Sequence, residues 1–280
     1  MKKSSQISGF YKLTPKERIK HVKDFADLTD QEVEILQSTG ALEMELADRM
    51  IENVVGTFPL PLGIAMNFLI NGKDYMVPMA IEEPSVVAAA TYAAKMAREK
   101  GGFFTSSTDP IMIGQIQAVD IGDPFAAKMK ILAAKKEILQ KANDQDPMLV
   151  SVGGGAKDLE VKVIDAKTGP MVITELHVDC RDAMGANAVN TMAEAVAPMI
   201  ERITGGRVYL RIISYLAVKR LARAYAVIPK ETVGGEEVVD GIVEAYNFAA
   251  ADPYRAATHN KGILNGIIGV VIATETTTAP

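Results

Sequence analysis

Apolar and polar positions along this chain alternate with two different periods, and the places where the period changes divide it. GQIQAVDI (Gly114–Ile121) alternates residue by residue, as a half-buried strand does. Asp123-Pro124 then reads as a helix cap with proline in the first turn, and FAAKMKILAAKKEILQKAND continues as one helix to about Asp144. DLEVKVI (Asp158–Ile164) alternates again, Asp165–Pro170 reads as a turn, and MVITELHVD (Met171–Asp179) is the returning strand. ANAVNTMAEAVAPMIERIT (Ala186–Thr204) is helical and stops at Gly205-Gly206, after which RVYLRIIS (Arg207–Ser214) is a fourth strand. The order β-α-β-β-α-β is that of the ferredoxin-like split unit. A compact module is therefore expected over residues 110–215, inserted into a domain made from residues 1–109 and 216–280.

Upstream, Thr14-Pro15-Lys16-Glu17 reads as a capping box with proline at the first helical position, and Asp30 opens a second helical pattern. The first eighty residues are expected to be helix-rich, interrupted by ENVVGTFPLPLGIAMNFLING (Glu52–Gly72), where Pro59, Pro61 and Gly63 favour an extended or irregular path. A buried path of that kind must satisfy its own backbone groups, so it is expected to cover a site or to form one. Downstream, VVDGIVEAYNFAAADPYRAATHNKGILNGIIGVVIAT (Val238–Thr274) reads as a helix, a polar glycine-containing loop and a buried strand. The fold class that follows is α+β.

Composition narrows the functions available. With 280 residues, 48% of them hydrophobic and 23% charged, the chain is an ordinary globular one, long enough for two domains. A net charge of -5 offers no basic footprint for nucleic acid. No apolar run reaches the roughly 18 to 20 residues that cross a bilayer, and the first residues lack the apolar stretch of a signal peptide, so a soluble cytoplasmic protein is expected. Cys180 is the single cysteine, and His21, His177 and His259 lie far apart with no metal-ligand spacing. No metal is expected.

Three stretches could carry chemistry. MAIEEPSVVAAATYAAKMAR (Met79–Arg98) sets Glu82 and Glu83 directly before Pro84, at the mouth of an apolar helix. Acids there complement the helix dipole, worth about 0.3–1 kcal/mol. The helix is apolar nearly all round, which implies burial on several sides. A carboxylate beside it is then desolvated, which raises its pKa, while the helix N-terminus lowers it; if desolvation wins, one glutamate is a proton donor near neutral pH. DAMGAN (Asp182–Asn187) joins a strand end to a helix start through Gly185, making either a seat for phosphate or a plain tight turn. SVGGGAKD (Ser151–Asp158) is a second glycine run, and neither stretch has the spacing or βαβ context of a Rossmann fingerprint. YRAATHNKGILNG (Tyr254–Gly266) gathers Arg255, His259, Asn260, Lys261 and Asn265 among small residues. It reads as a solvated loop, or as a place where a lysine stabilises an oxyanion. Cys180 reads as a small buried hydrophobe, since nothing near it in sequence could act as its base.

Taken together, GFYKLTPKERI, ENVVGTFPLPLGIAMNF, AIEEPSVVAAATYAAKMAR, VDCRDAMGANAVNTMAEAVAP and DPYRAATHNKGILNGI resemble the class II 3-hydroxy-3-methylglutaryl-coenzyme A (HMG-CoA) reductases. The resemblance covers the chain up to about Thr274. It implies a large helix-rich domain that binds the acyl-CoA and an inserted ferredoxin-like domain that binds the dinucleotide. It also implies reduction of a thioester to an alcohol in two hydride transfers, giving mevalonate and CoA, or the reverse. By motif, Glu83 is the implied catalytic acid and Lys261 of HNKG the implied catalytic lysine, while Ser85, Arg255 and Asn265 match substrate-holding positions. Asp182, Met184, Gly185, Ala186 and Asn187 match the dinucleotide-binding loop. Asp146 resembles the acid that takes the adenosine ribose hydroxyls, which favours NADH over NADPH because a carboxylate repels a 2'-phosphate. Tyr215 stands where relatives are expected to carry asparagine. Active sites in the family form between subunits, so a homo-oligomer is implied. A non-catalytic ligand-binding protein of the same fold is the competing reading.

The family pattern continues from VVIAT into Gly-Asn-Asp, whose aspartate is implied to be catalytic, and later supplies a histidine for the leaving thiolate. Here VVIAT is followed by ETTTAP (275–280). Restoring one nucleotide within the Thr274 codon lets the remaining bases read Gly-Asn-Asp, so ETTTAP is expected to be a frameshifted translation, and a chain without both groups is expected to turn over little or not at all.

Overall fold

In the computed structural model, which describes residues 3–40 and 42–274, threonines start the first two helices. The hydroxyls of Thr14 and Thr29 accept from the backbone N–H of Glu17 and Glu32, whose carboxylates accept in return from the threonine N–H. Complete capping boxes therefore open α1 (Pro15–Ala26) and α2 (Asp30–Gln37), and a third short helix, α3 (Met44–Met50), follows. β1 (Leu62–Ile70) and β2 (Lys73–Ala80) then form an antiparallel hairpin around Asn71-Gly72. Both turn residues have positive φ, 48° and 78°, as a two-residue type I′ turn requires. The stretch expected to run extended or irregular thus becomes a regular strand from Leu62 onward, with Pro59 and Pro61 ahead of it.

The chain continues through α4 (Pro84–Ala97), β3 (Phe103–Ser107), β4 (Ile111–Val119), α5 (Pro124–Ala133), α6 (Lys135–Asn143) and α7 (Pro147–Ser151). After these come β5 (Gly155–Ala166), β6 (Gly169–Asp179), α8 (Ala186–Thr204), β7 (Arg207–Ser214), β8 (Ala222–Ala226), α9 (Lys230–Val233), α10 (Glu236–Ala251) and α11 (Pro253–Ala273). Among the described residues, one compact unit takes in those up to Thr105 and from Ala224 to Thr274, and the other runs from Ser106 to Arg223.

In the second unit the sheet order is β5-β6-β4-β7, with antiparallel pairing throughout. That order, with α8 between β6 and β7, is the ferredoxin-like arrangement read from the periodicity. Ile131 of α5, Ile138 of α6 and Met192, Val196 and Ile200 of α8 are fully buried against Ile116, Val172 and Leu176 of the sheet. Gly114 lets α8 close onto β4, since a Cβ there would lie 2.7 Å from Val189 Cγ1.

Two expectations change. The single helix expected to Asp144 is broken at Ala134, whose ψ of 5° leaves the helical range, into α5 and α6. Its buried positions, Ala127, Ile131, Ile138 and Ala142, keep one spacing across the break, so periodicity cannot detect it. The loop and buried strand expected after Tyr254 are instead one helix, α11, begun by the Asp252 carboxylate accepting from Arg255 N–H at 2.6 Å. One of its three glycines has a packing use: a Cβ on Gly269 would stand 3.3 Å from Met79 Cε, so the missing side chain eases the approach of α11 to β2.

In the first unit Asp74 ties three segments together. Its carboxylate accepts from Ser5 N–H and Oγ, both at 2.8 Å, and from Arg98 Nη1 at 2.9 Å and Nη2 at 3.1 Å. Burial alone would raise its pKa, but the Arg98 and Ser5 hydrogen bonds outweigh it and hold the group at about 2, against an ordinary 3.8. The folded-state pKa lies below the unfolded one, so the stabilisation is present above about pH 4 and is lost as pH falls toward 2. Asp74→Asn should cost roughly 2 kcal/mol at pH 7. Urea midpoints of the two proteins should converge as pH is lowered through that window, and a constant gap would show that the charge is not the cause.

Candidate active site

Glu83 occupies the N-cap position of α4, with φ of -86° and Pro84 at the first helical position. Its side chain does not cap the helix but turns outward. Oε1 accepts from Ser85 Oγ at 2.9 Å, and Oε2 accepts from Asn265 Nδ2 at 3.0 Å and lies 3.4 Å from Lys261 Nζ. Lys261 and Asn265 are four residues apart on α11 and so share one helix face. The structure thus brings together Glu83, Ser85, Lys261 and Asn265. Arg255 is not in that constellation; its guanidinium carbon lies 6.0 Å from the Phe248 ring centroid.

The side chain of Glu83 is 41% exposed and that of Lys261 68%. Hydrogen bonding from Ser85, followed by the hydrogen bond and charge of Lys261, holds the Glu83 carboxyl below its ordinary range. Of the two outcomes left open by the sequence, the raised one is not realised in this chain. The reason is that α4 is not enclosed: Ala94 and Ala97 are buried, while Ala88, Ala89 and Tyr92 are exposed. Its alanine-rich surface costs little to leave in water, so an apolar sequence did not entail burial on several sides.

A groove of about 1530 Å³ runs along α4 and includes Pro84, Val87, Thr91 and Tyr92 in its lining. Across from them it is lined by the segment from Gln6 to Lys12 and by α1, and Lys12, Lys16, Arg18 and Lys95 supply positive charge. That volume exceeds the ~300–1,000 Å³ of a compact ligand pocket and suits an extended anionic molecule.

Asp146 and the Asp182–Asn187 loop lie in the second unit. Asp146 caps α7, its Oδ1 accepting from Leu149 N–H at 2.9 Å. Asp182, Ala183 and Met184 are exposed, and Gly185 precedes α8 with φ of 104° and no side-chain cap. A Cβ on Gly185 would stand 2.3 Å from Cys180 Sγ, so glycine is required here on two counts. Cys180 is buried and its thiol pKa is raised by burial, as expected of a packing residue. Arg181 Nη2 donates to Gly153 O at 2.6 Å, which joins the two glycine-bearing stretches that sequence had left separate. Arg181 escaped the sequence reading because its partner is a backbone carbonyl, which carries no residue signature. Tyr215 is half-exposed.

Among the described residues, Glu160, Glu175 and His177 bring ligand-type atoms within 4.8 Å of one another, a proximity invisible in their spacing. Lys219 stands 3.0 Å from the Glu160 carboxylate and Lys162 stands 2.7 Å from that of Glu175, so both acids already hold cations. No described helix is long and apolar enough to cross a membrane.

A carboxylate, a lysine and an amide thus converge at the start of α4, whose first residue, Pro84, also lines the groove with its four cationic side chains. The model of the hydroxymethylglutaryl-coenzyme A reductase family matches residues 14–279, and the chain belongs to that family. It is 65% identical over 271 residues to the 3-hydroxy-3-methylglutaryl-coenzyme A reductase of Archaeoglobus fulgidus, covering 97% of this chain and 62% of the relative. The chain therefore spans less than two thirds of that relative's length. The reductase of Streptococcus pneumoniae superposes with a TM-score of 0.92 at 41% identity, covering 96% of this chain and 74% of the other. A class II structure of the same organism, bound to NADPH in open conformations, matches with a TM-score of 0.91.

The order of causes at Glu83 is testable by carboxyl NMR titration. Ser85→Ala should move the Glu83 titration upward, and Asn265→Ala should move it less, because the Asn265 bond is the weakest of the lowering contributions. Equal shifts would mean that the hydroxyl does not govern the carboxyl.

Proposed function

We propose that the protein acts as a cytoplasmic HMG-CoA reductase, taking HMG-CoA to mevalonate and CoA at the expense of two reduced nicotinamides, or running the reverse. The observation that carries this reading is the convergence of Lys261, Asn265 and Glu83 at the mouth of α4. The acyl-CoA lies along the groove, its phosphates near Lys12, Lys16, Arg18 and Lys95 and its thioester toward Glu83. As the carbonyl oxygen gains charge, the Lys261 ammonium and the Asn265 amide stabilise it. Glu83 supplies the proton. In the open chain it is ionised, but a substrate that excludes water and takes over the donors now on its carboxylate removes the hydrogen bonds that depress its pKa. Ser85 and Arg255 hold the substrate.

A reduced nicotinamide, when bound, supplies the hydride. The residues fit such a group: Gly185 leaves the N-terminus of α8 without a side-chain cap, and exposed Asp182, Met184 and Asn187 flank it along with Ala186. Asp146 takes the adenosine ribose hydroxyls through its second carboxylate oxygen and disfavours a 2'-phosphate, so NADH is preferred even though a Streptococcus pneumoniae relative was solved with NADPH. The working form is a homo-oligomer. Supporting this, Ile242, Tyr246, Phe248, Ile263 and Ile267 of α10 and α11 are all exposed.

HMG-CoA-dependent loss of NADH absorbance tests the chemistry in the chain carried to the length of its Archaeoglobus fulgidus relative. Glu83→Gln should slow turnover about 100-fold or more while HMG-CoA binding, read by calorimetry, changes little. Full activity in that variant removes Glu83 from the mechanism. For the cofactor, NADH should bind more tightly than NADPH. Asp146→Asn should narrow the ratio roughly fivefold, the size of a single like-charge repulsion near water; an unchanged ratio places selectivity elsewhere.

A further inference from the structure

Arg220 lies between β7 and β8, in the same compact unit as the Asp182–Asn187 loop. Its Nη1 donates to the carbonyl oxygens of Ala183 at 2.8 Å and Met184 at 3.4 Å, and its Nη2 to that of Arg181 at 3.4 Å. One guanidinium thus gathers three carbonyls of a single short turn through charge-assisted bonds. The turn is a conformation that needs holding. Arg181 has φ of 52°, in the left-handed region that a long side chain disfavours, and Gly185 has φ of 104°.

The consequence follows from peptide geometry. Every described peptide bond is trans, and in a trans peptide the C=O and N–H point to opposite sides. Fixing the carbonyls of Ala183 and Met184 on Arg220 therefore turns the N–H groups of Met184 and Gly185 away from it. Next in the chain come the first-turn N–H groups of α8, which no side chain caps. We propose that Arg220 is a positioning residue for the dinucleotide: by holding these carbonyls it sets a row of N–H donors for the pyrophosphate without touching the cofactor itself. The inference rests on the dinucleotide reading above and adds the residue that preorganises its loop.

The test measures NADH binding to this chain through the cofactor's own fluorescence, HMG-CoA binding by calorimetry, and hydrogen exchange across residues 181–187. Arg220→Ala should weaken NADH about tenfold, the loss expected when the donors it orients go slack, and should speed exchange at Met184 and Gly185. HMG-CoA affinity should stay unchanged. Arg220→Lys should recover part of the NADH affinity, because an ammonium can hold a carbonyl but lacks the planar fork. It also keeps the test open should the alanine variant fail to fold. Faster exchange with unaltered NADH affinity overturns the positioning role and leaves a strut. Unaltered exchange overturns the clamp. Faster exchange in Arg220→Ala beside a wild-type chain that binds no NADH overturns the dinucleotide reading, a failure distinct from that of the clamp.

Discussion

An ionised carboxylate at the start of an apolar helix needs donors; Ser85 supplies one from the same helix, and the other two of Glu83 come from a helix 178 to 182 residues further along the chain. The contact depends on how closely α11 can lie against β2, and Gly269 permits it by presenting no side chain to Met79 and Ile81. The Asp252 cap at the other end of α11 sets where that helix begins, and hence which residues face Glu83. Shift the helix by one position and Lys261 and Asn265 rotate off the shared face. The chemistry proposed for the first unit is thus conditional on a backbone approach that involves no catalytic atom.

A comparable dependence governs the second unit. Its exposed Asp182–Asn187 loop is held by Arg181 reaching Gly153 and by Arg220 gathering carbonyls. Asp146 has a structural duty as the cap of α7, with one oxygen on Leu149 N–H. In both units a side chain named for chemistry is first placed by a local hydrogen bond, so removing it perturbs geometry and charge together.

Much of this was legible because its physics is local. Capping boxes, period-two strands and glycine stops act within a few residues, so the order β-α-β-β-α-β and both N-terminal helices could be read directly. The type I′ hairpin has a local signature as well, in Asn71-Gly72, although the prolines ahead of it favour an irregular path. What was misread involved long-range packing. The break at Ala134 leaves the apolar spacing intact, the glycines of α11 imitate a loop although they lie within a helix that Gly269 lets approach β2, and α4 is apolar without being enclosed.

The sequence by itself therefore determined the family and the ferredoxin-like module, and it singled out Glu83, Lys261 and the Asp182–Asn187 loop as candidates, because motif and periodicity survive in one dimension. Only the tertiary structure decided that Glu83 is held ionised, that Ser85 and Asn265 share its carboxylate while Arg255 lies against Phe248, and that Arg220 grips the loop. Those outcomes rest on distances between residues far apart in the chain and on exposure to water, and neither quantity is encoded in the spacing of residue types.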